Sequence, residues 1–373
     1  MSIRMSFLSV LFSIAALGFS APHARAAGAP IIVGQAIDLS GPNGSIGRDY
    51  VAGISTYFDS LNAKGGINGR KIAYVVSDDR GLPAESARIV SGLIKEGRAD
   101  YLMGAIGAEA TQATLAAPAF AESRHVLFAP LATAPGNAQA KVLYWRPSIE
   151  NEFLFLLVYF EKLGIKDIGI ALQESPQNNK SFQFVTAEMR KRRLKLSGLV
   201  RLSGDGAALQ ADTKRLSTAG AKLVITIGNT FASAQFLKAF RRHDPATFVA
   251  GTSLTNLTTL REIAGSAATE FTVFSQVVPN PAGTVTALQA EHVAMMKRFR
   301  DEPVSSVTLE GFAVAKTLAR MMRTDAAGKS RAVAPEAGAM DLGGMVVGAP
   351  ANGNNMSRYV DIALFQRGGG LMF

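Results

Sequence analysis

Residues 101–135 read as strand, loop, helix, strand and loop with almost nothing between them, and this spacing constrains the fold more than any other feature. Residues 101–106 and 126–129 are short apolar runs bounded by Gly or Pro. Residues 111–121 set Leu115 and Phe120 among alanines, as in a helix laid on a sheet. The connection between two such parallel strands is right-handed. Both loops, 107–110 and 130–135, then leave the carboxyl ends of neighbouring strands, where open α/β sheets bind ligands. Thr111 is placed to cap the helix, so that free N–H groups and a partial positive charge face the crevice, an end suited to a carboxylate or another small anion.

The same alternation extends along the chain. An apolar run at 30–37 leads into a Gly, Pro and Asn loop at 38–47. A helix stripe of Ile54, Tyr57, Phe58 and Leu61 follows and stops at Lys64-Gly65-Gly66. Strand 71–76 ends at Asp78-Asp79, and Ala87, Val90, Leu93 and Ile94 mark the next helix. After Trp145-Arg146-Pro147 the pattern restarts. Strands are expected at 167–172, 199–202, 223–227, 247–250 and 271–274, with helices between them. Two long helices (284–299 and 305–322), a loop-rich stretch at 328–350 and a last strand at 359–365 complete it. Strand and helix in turn mean parallel sheets covered on both faces. The 373 residues suit two such lobes at ~150 residues each.

The first residues stand apart. Arg4, an apolar run at 7–19 and Ala24-Arg25-Ala26 make a secretory signal over 1–26, too short to remain as a membrane span. There is no cysteine, which excludes disulfides, thiolate metal sites, cysteine nucleophiles and a lipid-anchored cysteine. A bacterial periplasm fits such an exported chain. Of 39 basic residues Arg4 and Arg25 leave with the signal, so 37 remain against 29 acidic ones, a charge of +8. The densest basic run, Arg190 to Arg193 with Lys195, accompanies no nucleic-acid motif and reads as a solvated helix end.

Motifs for catalysis fail in detail. Gly328-Lys329-Ser330 lacks the first P-loop glycine, where Arg323 stands, and follows a helix. Gly251-Thr252-Ser253 begins like a nucleophile elbow, but Thr255 replaces the second glycine. Gly104 and Gly107 lack the third glycine of a dinucleotide fingerprint. His23, His125, His243 and His292 have no metal-ligand spacing, and Asp78-Asp79 reads as a solvated loop. No cofactor is expected.

Asp38-Leu-Ser-Gly-Pro42, the run Asn62-Ala-Lys-Gly-Gly-Ile-Asn-Gly-Arg-Lys71, Val75-Val-Ser-Asp-Asp79, Pro130-Leu-Ala-Thr-Ala-Pro135 and Glu310-Gly-Phe312 occur in order along nearly all of the mature chain. In this the chain resembles the leucine/isoleucine/valine-binding proteins, periplasmic receptors of branched-chain amino acid importers with the type I binding-protein fold. The resemblance implies two Rossmann-like lobes joined by three crossovers, about 28–148 with 277–344 and 149–276 with 345–373. It also implies a monomer that closes on a small solute and is read by a permease-ATPase complex.

The family's ligand positions carry over unevenly. A threonine that holds the ligand carboxylate matches Thr133, with backbone N–H groups beside it at Ala132. The partner serine falls at Ala108, next to Glu109. The carbonyl that accepts from the ligand ammonium falls at Leu131. Aromatics of the second lobe and the late helix fall near Asn229, Gln177 and Ser306. The acidic partner of the ammonium falls near Thr252 or Ser253, neither of which is charged. An ammonium brought into a closed cleft without a charge partner costs several kcal/mol, roughly. The expected guest is therefore a small polar solute or a carboxylate rather than an ordinary α-amino acid. Two other readings stay open: a receptor feeding a signalling partner, and a secreted hydrolase using Ser253 with His125 or His243.

Overall fold

The structure, a computed structural model, describes residues 28–132, 141–202, 206–324, 338–348, 355–367 and 370–373. The expected signal at 1–26 lies outside these residues, as does most of the loop-rich stretch at 328–350.

Five strands form the first sheet: β1 (Ile31–Ile37), β2 (Ile72–Asp78), β3 (Tyr101–Met103), β4 (Leu127–Phe128) and β5 (Val142–Leu143). Their order is β2-β1-β3-β4-β5, all parallel, with Ile31 opposite Ile72 and Val33 opposite Tyr101. Helices α1 (Gly44–Ala63), α2 (Pro83–Lys95), α3 (Ala108–Ala116) and α4 (Pro118–Glu122) connect them. The second lobe alternates α5 (Ile149–Lys162), β6 (Asp167–Leu172), α6 (Pro176–Lys191), β7 (Lys195–Arg201), α7 (Gly206–Thr218), β8 (Leu223–Ile227), α8 (Thr230–Phe240) and β9 (Phe248–Gly251). It continues through α9 (Leu257–Ala264), α10 (Ser266–Thr269) and β10 (Thr272–Gln276).

After β10 the chain returns to the first sheet as α11 (Ala287–Phe299) and α12 (Ser306–Thr324), then forms the small pair β11 (Met340–Asp341) and β12 (Val346–Val347). It ends on the second sheet with β13 (Asp361–Phe365) and β14 (Leu371–Met372), both antiparallel to their neighbours. The second sheet is ordered β14-β13-β10-β9-β8-β6-β7. Met345, Val347 and Met356 still pack in the first core, so the boundary drawn at 344 falls inside it.

Both sheets are apolar on both faces, as continuous runs such as Leu223–Ile227 require. Phe58, Phe128, Trp145 and Phe312 fill one face of the first sheet, and Leu93, Phe120 and Leu127 the other. Phe153, Phe160 and Val185 cover one face of the second, and Phe236, Phe240 and Phe274 the other. Glycine brings α1 and α12 into backbone contact. A Cβ on Gly53 would lie 2.0 Å from the Thr308 carbonyl oxygen, and one on Gly311 2.2 Å from that of Tyr50.

Two local expectations change. The helix expected at 111–121 is two helices, because Ala117 is extended (ψ 128°) ahead of Pro118. It also begins at Ala108, three residues early: Gly107 is the N-cap at φ 97°, where a side chain is strained. Thr111 is thus one turn inside the helix and caps nothing; its hydroxyl donates to the Gly107 carbonyl at 2.9 Å.

Candidate functional site

In the first sheet the strand order reverses between β1 and β3, and in the second between β6 and β8. Such switch points open a crevice beyond the carboxyl ends of the strands. The two crevices face each other here, and between them lies a cleft of about 280 Å³. The first lobe lines it with the start of α1, the loop and first turn of α3, and the residues after β4; the second with those after β6, β8 and β9.

Ala108 and Glu109 sit on the first turn of α3, and Leu131 and Ala132 follow β4. The Leu131 carbonyl accepts from Gly107 N–H at 3.0 Å, and its N–H donates to Ala105 O at 3.0 Å, which fixes the two loops side by side. Gln177 stands in the first turn of α6, and Thr252 just after β9. Asn229 caps α8: its Oδ1 accepts from Ala232 N–H at 2.9 Å, while its own N–H donates to Gln173 Oε1 at 2.9 Å. Seven of the ten residues singled out from the sequence therefore share one cleft. Thr133 lies outside the described residues.

Ser253 goes elsewhere. It is buried, its hydroxyl accepts from Arg146 Nη2, and its N–H donates to Glu152 Oε2 at 2.9 Å. A hydroxyl held by a guanidinium lacks the general base that the hydrolase reading requires. His125 places Nε2 3.1 Å from the Ala99 carbonyl, and His243 is exposed beyond α8. Ser306 also lies off the cleft, at the start of α12 beside Ser253 on another small cavity.

Sequence reasoning passed over Asn43, Ile46, Phe153, Gln173 and Glu174, all of which line the cleft. Gln173 and Glu174 directly follow β6, and that position at a strand's carboxyl end was the available signal. Phe153 also belongs to the core of the second lobe. Asp78 and Asp79 are not merely solvated. Asp79 is buried and accepts from the Ser86 hydroxyl, while Asp78 is held down to about 2 by the Ser40 hydroxyl and the N–H groups of Leu39 and Arg80. With Asp38, which accepts from Gly41 and Asn43, they shape the loop that starts α1.

The lobes meet in a charged hinge. Arg146, between β5 and α5, lies between Glu152 of α5 (3.4 Å) and Glu310 of α12 (3.7 Å), and all three are buried. Asn355 Nδ2 donates to the Arg146 carbonyl at 2.8 Å, and Met356 and Ser357 donate to Tyr144 and Trp145 at 2.8 Å, pairing two crossovers. Asn256, the cap of α9, reaches across to Asp49 of α1 at 3.2 Å.

Two lobes with an interlobe cleft define a solute-binding architecture. A family model for periplasmic binding proteins matches residues 30–358, and the chain belongs to that family. It is similar in structure to an extracellular ligand-binding receptor from Verminephrobacter eiseniae (23% identity, 92% of this chain and 100% of that one, TM-score 0.82). A substrate-binding periplasmic protein from Ralstonia solanacearum gives 24% identity, 92% and 99% coverage and a TM-score of 0.83. The branched-chain amino acid transporter substrate-binding protein LivJ of Streptococcus pneumoniae, in complex with isoleucine, gives 16%, 92% and 98%, and 0.77.

Sequence relatives match over shorter segments. They include an amino acid binding protein of Pseudomonas aeruginosa (34% over 76 residues, 20% of each chain) and a Leu/Ile/Val-binding protein homolog of Brucella abortus (32% over 87 residues, 23% of this chain and 24% of that one). A chemotactic signal transduction system substrate-binding protein of Halobacterium salinarum shares 33% over 116 residues, 31% of this chain and 28% of its own. The match thus spans under a third of the length of each of these relatives. Among the described residues no helix is long and apolar enough to cross a membrane, and no cluster of His, Cys, Asp or Glu is arranged to hold a metal.

Proposed function

We propose that the protein is the periplasmic solute-binding component of an ABC importer, closing its two lobes on a small polar solute of amino-acid size and presenting the closed form to a permease-ATPase complex. One observation carries this: the carboxyl ends of both sheets open onto a single cleft, so a guest there touches both lobes at once. A solute with contacts on each side favours the closed state by its differential affinity. The protein needs no chemistry of its own for this task, and we assign it no catalysis and no cofactor.

The test is a thermal-shift screen of the mature chain over amino acids, amides, amines and carboxylic acids. A solute at 100 times its dissociation constant stabilises by about 2.7 kcal/mol. No response from any class at millimolar concentration would discard the proposal. A second reading, a receptor for a signalling partner, is favoured by the Halobacterium relative. Deleting the gene separates the two: an importer component loses uptake of the solute, whereas a sensor loses only the response to it.

A further inference from the structure

The charged side chains of the cleft wall are all acids, and each lobe supplies one: Glu109 from α3 and Glu174 from the residue pair after β6. No lysine or arginine lines the cleft among the described residues. Residues 133–140 contain none in their sequence either. The rest of the wall is apolar (Ile46, Ile106, Phe153), amide-bearing (Gln173, Gln177, Asn229) or hydroxyl-bearing, Thr252 among the last.

Glu109 bears on the end of the cleft that the sequence marks for an anion. The first turn of α3 has no side-chain cap, because its N-cap is Gly107. Its first N–H groups and the positive end of the helix therefore face the cleft. Glu109 is the acidic residue in that first turn, and its carboxylate folds back over it: a Cβ added to Gly107 would come within 3.7 Å of Glu109 Oε2. The chain thus brings its own carboxylate to the helix end. A carboxylate on the guest would meet a like charge there, in a closing cleft where water screens it less.

On the opposite wall Glu174 forms a pair with Arg201, 2.8 Å from Nε. Both side chains are more than half exposed, so the pair is weak and yields readily to a better-placed cation inside the cleft.

Resting on the reading of the cleft as a solute site, we infer that the ligand is an organic cation or amide donor without a free carboxylate, a small amine, amidine or amino acid amide with an apolar body. Its N–H groups are received by Glu109 and Glu174, with the amides of Gln173 and Asn229 between them. The neutral part lies on Ile46, Ile106 and Phe153.

The experiment measures dissociation constants by titration calorimetry for matched trios on one carbon skeleton: leucinamide, leucine and 4-methylpentanoate, with the alanine- and phenylalanine-based counterparts. In the best-binding trio the amide is expected to bind at least about tenfold tighter than the amino acid, with the acid weakest. Glu174→Gln should weaken the amide by about ten- to a hundredfold, the range for a hydrogen bond to a charged group. Glu109→Gln should narrow the gap between amide and amino acid, since it removes the repulsion. An amino acid or acid that binds the unaltered protein as tightly as its amide overturns the charge selection while leaving the solute site standing. Silence across every trio overturns both.

Discussion

The hinge makes the sharpest stability prediction. Arg146 is 3% exposed and holds the Glu152 and Glu310 carboxylates, which are 1% and 5% exposed, in one buried cluster. Removing the cation of a buried pair typically costs about 3–5 kcal/mol, because a charge stays behind without water. Glu152 keeps two donors in Arg146→Met, the Ser275 hydroxyl at 2.6 Å and Ser253 N–H at 2.9 Å, which places the loss near the low end, about 3 kcal/mol. Glu310 behaves differently. Burial pushes its carboxyl up from the ordinary 4.5, Arg146 opposes the shift and Glu152 adds to it. Glu310→Gln therefore replaces a group already biased toward neutrality and should cost about 1 kcal/mol or less, the scale of one neutral hydrogen bond.

The sign of the pH dependence follows. A carboxyl with a raised folded-state pKa binds more protons folded than unfolded. Its stabilising contribution is complete below the ordinary value and is lost as pH rises through the raised one. From pH 4.5 upward the unaltered protein should lose ground to Glu310→Gln. The assay is urea unfolding followed through Trp145, the sole tryptophan, which neighbours Arg146 and donates to the Thr317 hydroxyl at 2.9 Å. The reasoning fails if Arg146→Met costs under 1 kcal/mol, roughly the worth of a surface pair, or if the gap between Glu310→Gln and the unaltered protein ignores pH.

Three further outcomes are expected. Gly311→Ala sets a methyl against the Tyr50 carbonyl and should destabilise by about 1–3 kcal/mol, the usual cost of overpacking, read as a lower urea midpoint; an unchanged midpoint removes the close α1–α12 approach. His292, buried and 3.0 Å from the Thr308 hydroxyl, has its pKa lowered to about 4 chiefly by burial. Its stabilising contribution holds above its ordinary 6.5 and is lost as pH falls through 4, a swing of about 3 kcal/mol that His292→Gln should flatten in melts from pH 7 to pH 4. Asn256→Ser keeps an α9 cap but drops the reach to Asp49, so the lobes should part more often; small-angle scattering showing an unchanged radius of gyration counts against a latch there.

The fold was legible because it rests on periodicity. Runs such as Leu223–Ile227 and stripes such as Phe236, Leu237 and Phe240 leave a parallel sheet covered on both faces as the consistent solution. Element ends were less legible. Thr111 reads as a cap by residue type, yet Gly107 can adopt the positive φ that starts the helix earlier, and backbone freedom outweighed side-chain preference. The first lobe's loops at the cleft were legible for the same reason as the fold, since they follow strand ends, whereas Asn229 and Thr252 were reached through the family resemblance; Ala108, Leu131, Asn229 and Thr252 all lie there.

Charge at the cleft was legible only in part, Glu109 being singled out and Glu174 not, because a residue's number says which loop it is on and not which way its side chain turns. Ser253 and Thr252 are neighbours, yet Thr252 lines the cleft while Ser253 turns into the hinge and binds Arg146. The search for an acidic partner at that loop therefore ended on uncharged residues, while Glu109, already marked, and Glu174, passed over, lay on other loops of the same cleft. The fold opens several strand ends onto one cleft. Specificity can move from one loop to another with no change in the sheets, so two chains that share the architecture at low identity need not share a ligand.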